Sequence, residues 1–336
     1  MFGHESILEQ LRAQGFNPNA LEFAGANVQL GWTPSAPEPI VDSNRVLVAI
    51  PDMHLGDGGN ADVFRATASP PNLFHLRLVK FLQGLQQAKT QLESQGGLLS
   101  VVQLGDFYDV WRAYPFSDDE RGRTYYDINQ AYGDCISLLI DDLDCRFCVG
   151  NHDAIMAQYP PDWAFAAGAR LAYSQRFCQG RVFCFHGHQG DSIADQTVGQ
   201  DGKNWVALGS VLSSVANPSG MALQRAIDAA RDSQMSADGG WVTGLPPNDE
   251  QFSAPRWSDY DGKPARFKKL IDGLGESTPS IADAIRLVIV GHTHRPGVSW
   301  LQRSNRTIPI IDVGSWTYGR SQFAIVTEGS AAVYQL

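Results

Sequence analysis

Apolar positions along the chain follow two rhythms. From residue 46, short β-branched and apolar runs recur: VLVAI at 46–50, LLSVVQL at 98–104, CRFCV at 145–149, VFCFH at 182–186 and RLVIV at 286–290. Unbroken runs of this length predict strands buried on both faces. Between the first two, residues 73–95 set Phe74, Leu76, Leu78, Phe81, Leu82 and Leu85 on a helical stripe, and a second helix is predicted over 127–142. Strand and helix alternate, which predicts α/β layering. The chain closes with IPIIDV, QFAIVT and AAVYQL, three β-like runs separated by turn residues that predict antiparallel sheet.

Two stretches break this rhythm. Near the N-terminus, Ile7, Leu8 and Leu11 fall at helical spacing before the Pro-rich TPSAPEPI. Residues 1–42 are therefore expected to be an arm and linker, and 43–336 the main domain. A helix-turn-helix about Gly15 is disfavoured because the basic residues of a DNA reader are missing. Residues from about 192 to 283 are richer in Gly, Ser, Asp and Pro, with helical pieces such as 221–232. They are expected to form a mostly helical insertion, acting as a lid or substrate wall.

Composition narrows the class. With 43% apolar and 10% aromatic residues in 336, there is material for a substantial core, and wholesale disorder is excluded. A net charge of −10 repels phosphate backbones and disfavours nucleic acid as a partner. Five cysteines, an odd number without a framework, fit a reducing compartment; Cys145 and Cys148 are expected to be buried strand residues rather than half a zinc ribbon. The N-terminal MFGHESILEQLRAQG has no secretory pattern, and no segment is long and apolar enough to span a bilayer. A cytoplasmic protein is expected, with peripheral membrane contact left open.

The chemistry lies where the apolar runs stop. VLVAI runs into Pro51-Asp52-Met53-His54, VVQL into Gly105-Asp106-Phe107-Tyr108-Asp109, and FCV into Gly150-Asn151-His152-Asp153. VFCF runs into His186-Gly187-His188, and LVIV into Gly291-His292-Thr293-His294. One histidine at a strand end is more often an ordinary polar residue than a ligand, but five such clusters in one chain are not. The carboxyl ends of strands in open α/β sheets are where ligands bind. Nitrogen and oxygen donors without cysteine suit Mn, Fe, Zn or Co and argue against a closed structural zinc site. The glycines at 105, 150 and 291 are expected to turn the backbone off each strand.

These D-x-H, G-D-x-x-D, G-N-H-D, H-G-H and G-H-T-H blocks, in order from residue 52 to 294, resemble the calcineurin-like metallophosphoesterase superfamily. The resemblance implies a four-layer β-sandwich flanked by helices, and two divalent ions with manganese favoured. Asp106 would bridge them, with Asp52, His54 and His294 on one ion and Asn151, His186 and His292 on the other. It further implies His152 as the catalytic residue facing substrate, Asp109 and Asp153 as outer carboxylates that orient histidines, and His188 and Asp191 as either outer residues behind the ligands or groups on the substrate side. The implied reaction is hydrolysis of a phosphate mono- or diester on a small or nucleotide-like substrate. DMHLGDGG, GDFYDVW, HGHQGD and GHTHRP look most like the UDP-2,3-diacylglucosamine hydrolase group, whose pyrophosphohydrolase activity is the alternative. His152 stands where that group typically carries arginine. A non-catalytic metal-binding scaffold is the alternative from another class.

Overall fold

The computed structural model describes residues 3–23, 26–27, 39–56, 64, 73–109, 126–150, 152, 173–174, 177–188, 271, 279–292, 294, 296–303, 306–317 and 320–336. Helices and strands are mixed, with two multi-stranded sheets and one short hairpin. The predicted insertion lies almost wholly outside the described residues, as do Asn151, Asp153 and Asp191.

The first sheet has seven strands. In spatial order they are β1 (Asn19–Ala20), β14 (Ala331–Gln335), β13 (Gln322–Val326), β4 (Arg45–Ile50), β5 (Leu98–Gln103), β6 (Arg146–Cys148) and β7 (Tyr173–Ser174). β4 through β7 pair in parallel, while β13, β14 and β1 add antiparallel. The second sheet runs β11 (Pro296–Arg303), β12 (Arg306–Val313), β10 (Leu287–Val290), β9 (Val182–Cys184) and β8 (Phe177–Gln179). β2 (Glu22–Phe23) and β3 (Ala26–Asn27) form the hairpin.

Unbroken apolar runs are needed because the central strands face a core on each side. Along β4, Val46, Val48 and Ile50 enter one core while Leu47 and Ala49 enter a second. This is the period-two alternation of a strand with both faces covered. The first core packs that sheet against helices α1 (Glu5–Ala13) and α2 (Leu73–Ser94). The second core lies between the sheets, where Leu47, Val102 and Val326 meet Val182, Leu287 and Ile289. On the far side of the second sheet, Val288, Val290 and Ile310 meet Ala282 and Ile285, which lie on and just after α5 (Pro279–Ala284).

Three of the expected elements change in detail. IPIIDV does not join the last two runs: β12 lies in the second sheet, parallel to β10 and antiparallel to β11, whereas β13 and β14 pair in the first. The helix expected over 127–142 is α3 (126–131), a break at Tyr132, α4 (Gly133–Ser137), and a π-helical turn at Leu138–Asp142. On α2, Leu78, Phe81, Leu82 and Leu85 are buried but Leu76 is 57% exposed, because two residues at about 100° each carry it to the opposite face. Beyond Gly15 the chain enters β1 rather than a second helix. The N-terminal residues pack into the domain, with Ile7, Leu8 and Leu11 in the first core. Cys145 and Cys148 are buried, Cys148 on β6 itself.

Candidate metal centre

Five strand ends converge. Asp52 and His54 follow β4, Asp106 follows β5 and His152 follows β6, while His186 follows β9 and His292 and His294 follow β10. All seven are buried. The loops after β4 and β5 keep pairing past the strands: the His54 amide donates to Asp106 O at 2.8 Å and the Leu55 amide to Phe107 O at 2.8 Å.

Backbone amides hold both central carboxylates. The His292 N–H donates to Asp52 Oδ1 and Oδ2 at 3.0 and 2.9 Å, and the His152 N–H donates to Asp106 Oδ1 at 2.8 Å. Around them the imidazoles crowd. His54 Nε2 lies 2.9 Å from His294 Nε2 and 3.5 Å from Asp106 Oδ2, and His294 Nε2 lies 3.4 Å from Asp52 Oδ1. On the other side of Asp106, its Oδ2 is 3.2 Å from His186 Nε2, which is 3.2 Å from His292 Nδ1. His186 Nδ1 is 3.0 Å from the carbonyl of Leu104; a carbonyl only accepts, so that nitrogen donates, and Nε2 is the ring atom turned toward Asp106.

Three groups result whose donor atoms all lie within 4.8 Å of one another: Asp52, His54 and His294; Asp106, His186 and His292; and His54, Asp106 and His152. Asp106 belongs to two of them. His188 is buried beside these groups, its ring centroid 5.4 Å from that of His186. Asp109 reaches two rings, with Oδ1 3.0 Å from His152 Nδ1 and Oδ2 3.5 Å from His54 Nδ1.

Electrostatics favour ionised carboxylates here. Burial pushes the Asp106 carboxyl up, but His186, His152 and His54 outweigh it and hold it well below the usual carboxylate range. Asp52 is lowered likewise: burial raises it, and His186 and His294 more than compensate. Imidazole nitrogens thus crowd around ionised oxygens, and His294 Nδ1 is buried without a hydrogen bond among the described residues. The donor set is compatible with bound metal.

Some of the surroundings were not anticipated. Gln103, the buried last residue of β5, accepts from the Gly105 amide at 2.9 Å and donates to the Gly105 carbonyl at 2.8 Å, fixing the turn that presents Asp106. The loop after β12 props the site from the other side: Ser315 bridges Asp52, the Trp316 amide donates to Asp52 O at 2.8 Å, and Arg320 donates to the carbonyl of His294. The signal was present, since IIDV ends in Gly314-Ser315 as the other runs end in polar clusters.

No protein-family profile matches the chain, and no curated protein is significantly similar to it. Among the described residues no helix is long and apolar enough to cross a membrane.

Proposed function

We propose that the chain is a two-metal phosphoester hydrolase built as a metallophosphoesterase-type four-layer sandwich, acting on a small or nucleotide-like mono- or diester. The observation that carries this reading is the position of Asp106, whose buried carboxylate shares one donor group with His186 and His292 and another with His54 and His152, while His54 also belongs to the group of Asp52 and His294. Asp52, His54 and His294 would hold one divalent ion, and His186 and His292, with Asn151 beyond the described residues, the other. Bound there, divalent ions supply Lewis acidity, neutralising charge on phosphoryl oxygens and lowering the pKa of water to near neutrality. Manganese suits these donors, as do Fe, Zn and Co.

The protein's own part is positioning and proton transfer. Asp109 engages His152 at Nδ1 and so fixes the ring's tautomer and direction. The His152 Nε2, 3.9 Å from Asp106 Oδ2, is the atom that would give a proton to the leaving oxygen. Backbone amides on Asp52 and Asp106 keep the carboxylates from swinging when substrate enters. The test is turnover of aryl phosphate mono- and diesters by purified, manganese-loaded protein, with metal measured by elemental analysis. Hydrolysis with two ions per chain is expected. No turnover of either ester class overturns the reading, and well under two ions per chain points to a scaffold.

A further inference from the structure

A second group of ligand-type side chains sits between two helices, away from the strand ends. His75, in the first turn of α2, places Nε2 2.8 Å from Oδ1 of Asp134, which with Cys135 belongs to the start of α4. One donor atom from each of His75, Asp134 and Cys135 lies within 4.8 Å of the other two. We propose that these three residues form a separate site for one zinc-like divalent ion, tying α2 to α4.

The donor chemistry selects the ion. Imidazole, carboxylate and thiolate together suit a borderline-soft cation, and three protein ligands leave a fourth position for water. The donors are already gathered: Asp134 Oδ1 accepts from the Cys135 backbone N–H at 2.8 Å and pairs with His75, whose ring packs edge-on at 5.2 Å from Tyr132. An ion has a way in, because the Asp134 side chain is 54% exposed and that of His75 19%. Cys135 itself is buried, and burial, then the Asp134 charge, push its thiol well up. Metal binding breaks the S–H bond, forms a metal–sulfur bond and releases one proton to solvent, with no change in oxidation state.

Cobalt(II) titration of the full chain tests this. A thiolate-to-cobalt charge-transfer band should appear, reach at saturation the intensity of one cobalt–thiolate centre per chain, and be lost in Cys135→Ser and in His75→Gln. The main centre contains no cysteine among its predicted ligands, so Asp106→Asn should keep the band; the outcome is thus independent of the phosphoesterase reading. Should Cys135→Ser fail to fold by circular dichroism, His75→Gln, altered at a part-exposed position, carries the test. No band in the native chain, or a band unchanged in His75→Gln, overturns the proposal.

Discussion

The glycines beside the candidate ligands serve close approach more than turning. Of the three expected to turn the backbone, only Gly105 has a left-handed φ, at 101°. A Cβ on Gly150 would collide with the amide nitrogen and Oδ1 of Asp106, and one on Gly291 with Oδ2 of Asp52. The candidate ligands themselves turn the chain: His54, Asp106, His292 and His294 have φ of 51°, 49°, 77° and 58°. Such conformations cost about 1–3 kcal/mol each and persist where surrounding contacts impose them. Gly150→Ala and Gly291→Ala should therefore keep their circular dichroism but lose bound metal; a full metal complement in Gly291→Ala would show that Asp52 can move aside. The residue types and order of the converging clusters were legible because they are chemistry written in residue identity. Which atom presses on which Cα was not, since that depends on packing across strands. The same scale separates ligand from acid. Asp106→Asn should lose metal and turnover together, while His152→Ala should keep metal and lose about 10²- to 10⁴-fold in turnover. Because His152 also lies with His54 and Asp106 in one donor group, metal loss in His152→Ala would reassign it as a ligand.

Among elements, the central strands were legible because burial on both faces leaves few polar positions to blur the run. β11, PGVSWLQR, was not: it is an edge strand that mixes polar with apolar residues and borrows its register from β12. Its hairpin also explains why β12 runs parallel to β10, because the chain reverses once before returning beside its starting strand. The N-terminal helix shows how far a three-residue stripe can reach. α1 docks on α2 at Gly84, where a Cβ would lie 2.9 Å from Leu11 Cδ2. Leu11 is fully buried, so Leu11→Ala should cost about 2–5 kcal/mol of unfolding free energy in urea. Beside it, His4 Nδ1 lies 2.7 Å from the Tyr334 hydroxyl and Nε2 3.1 Å from Ser330 Oγ. Burial lowers its pKa, more than Ser330 and Glu5 raise it. A histidine held neutral binds fewer protons folded than unfolded, so its contribution is full above the ordinary histidine pKa and is lost as pH falls through the lowered one. The stability difference between the native chain and His4→Gln should shrink as pH drops below about 6.5; a difference constant across that range would show that His4 does not titrate with unfolding.

At the scale of the whole molecule, the candidate ligands divide between the sheets. Asp52, His54, Asp106 and His152 come from the seven-stranded sheet, and His186, His292 and His294 from the five-stranded one. The second core already joins the sheets through apolar contact, but the strand ends bring charged and polar groups together where apolar contact stops. Bound metal would add to the hydrogen bonds that already span that edge, from the His292 amide to Asp52 and from His186 Nδ1 to the carbonyl of Leu104. This division was invisible in the run of motifs, because chain order does not say which strand ends belong to which sheet. Metal that binds only the folded chain stabilises it by mass action, by about 2.7 kcal/mol for a single site at one hundred times its dissociation constant. Manganese should therefore raise the melting temperature of the native chain in a concentration-dependent way, and a chelator should reverse the rise. Asp106→Asn should melt at the same temperature with or without manganese. If it keeps the full manganese-dependent rise, the stabilising ion is bound elsewhere and the two sheets are not joined through Asp106.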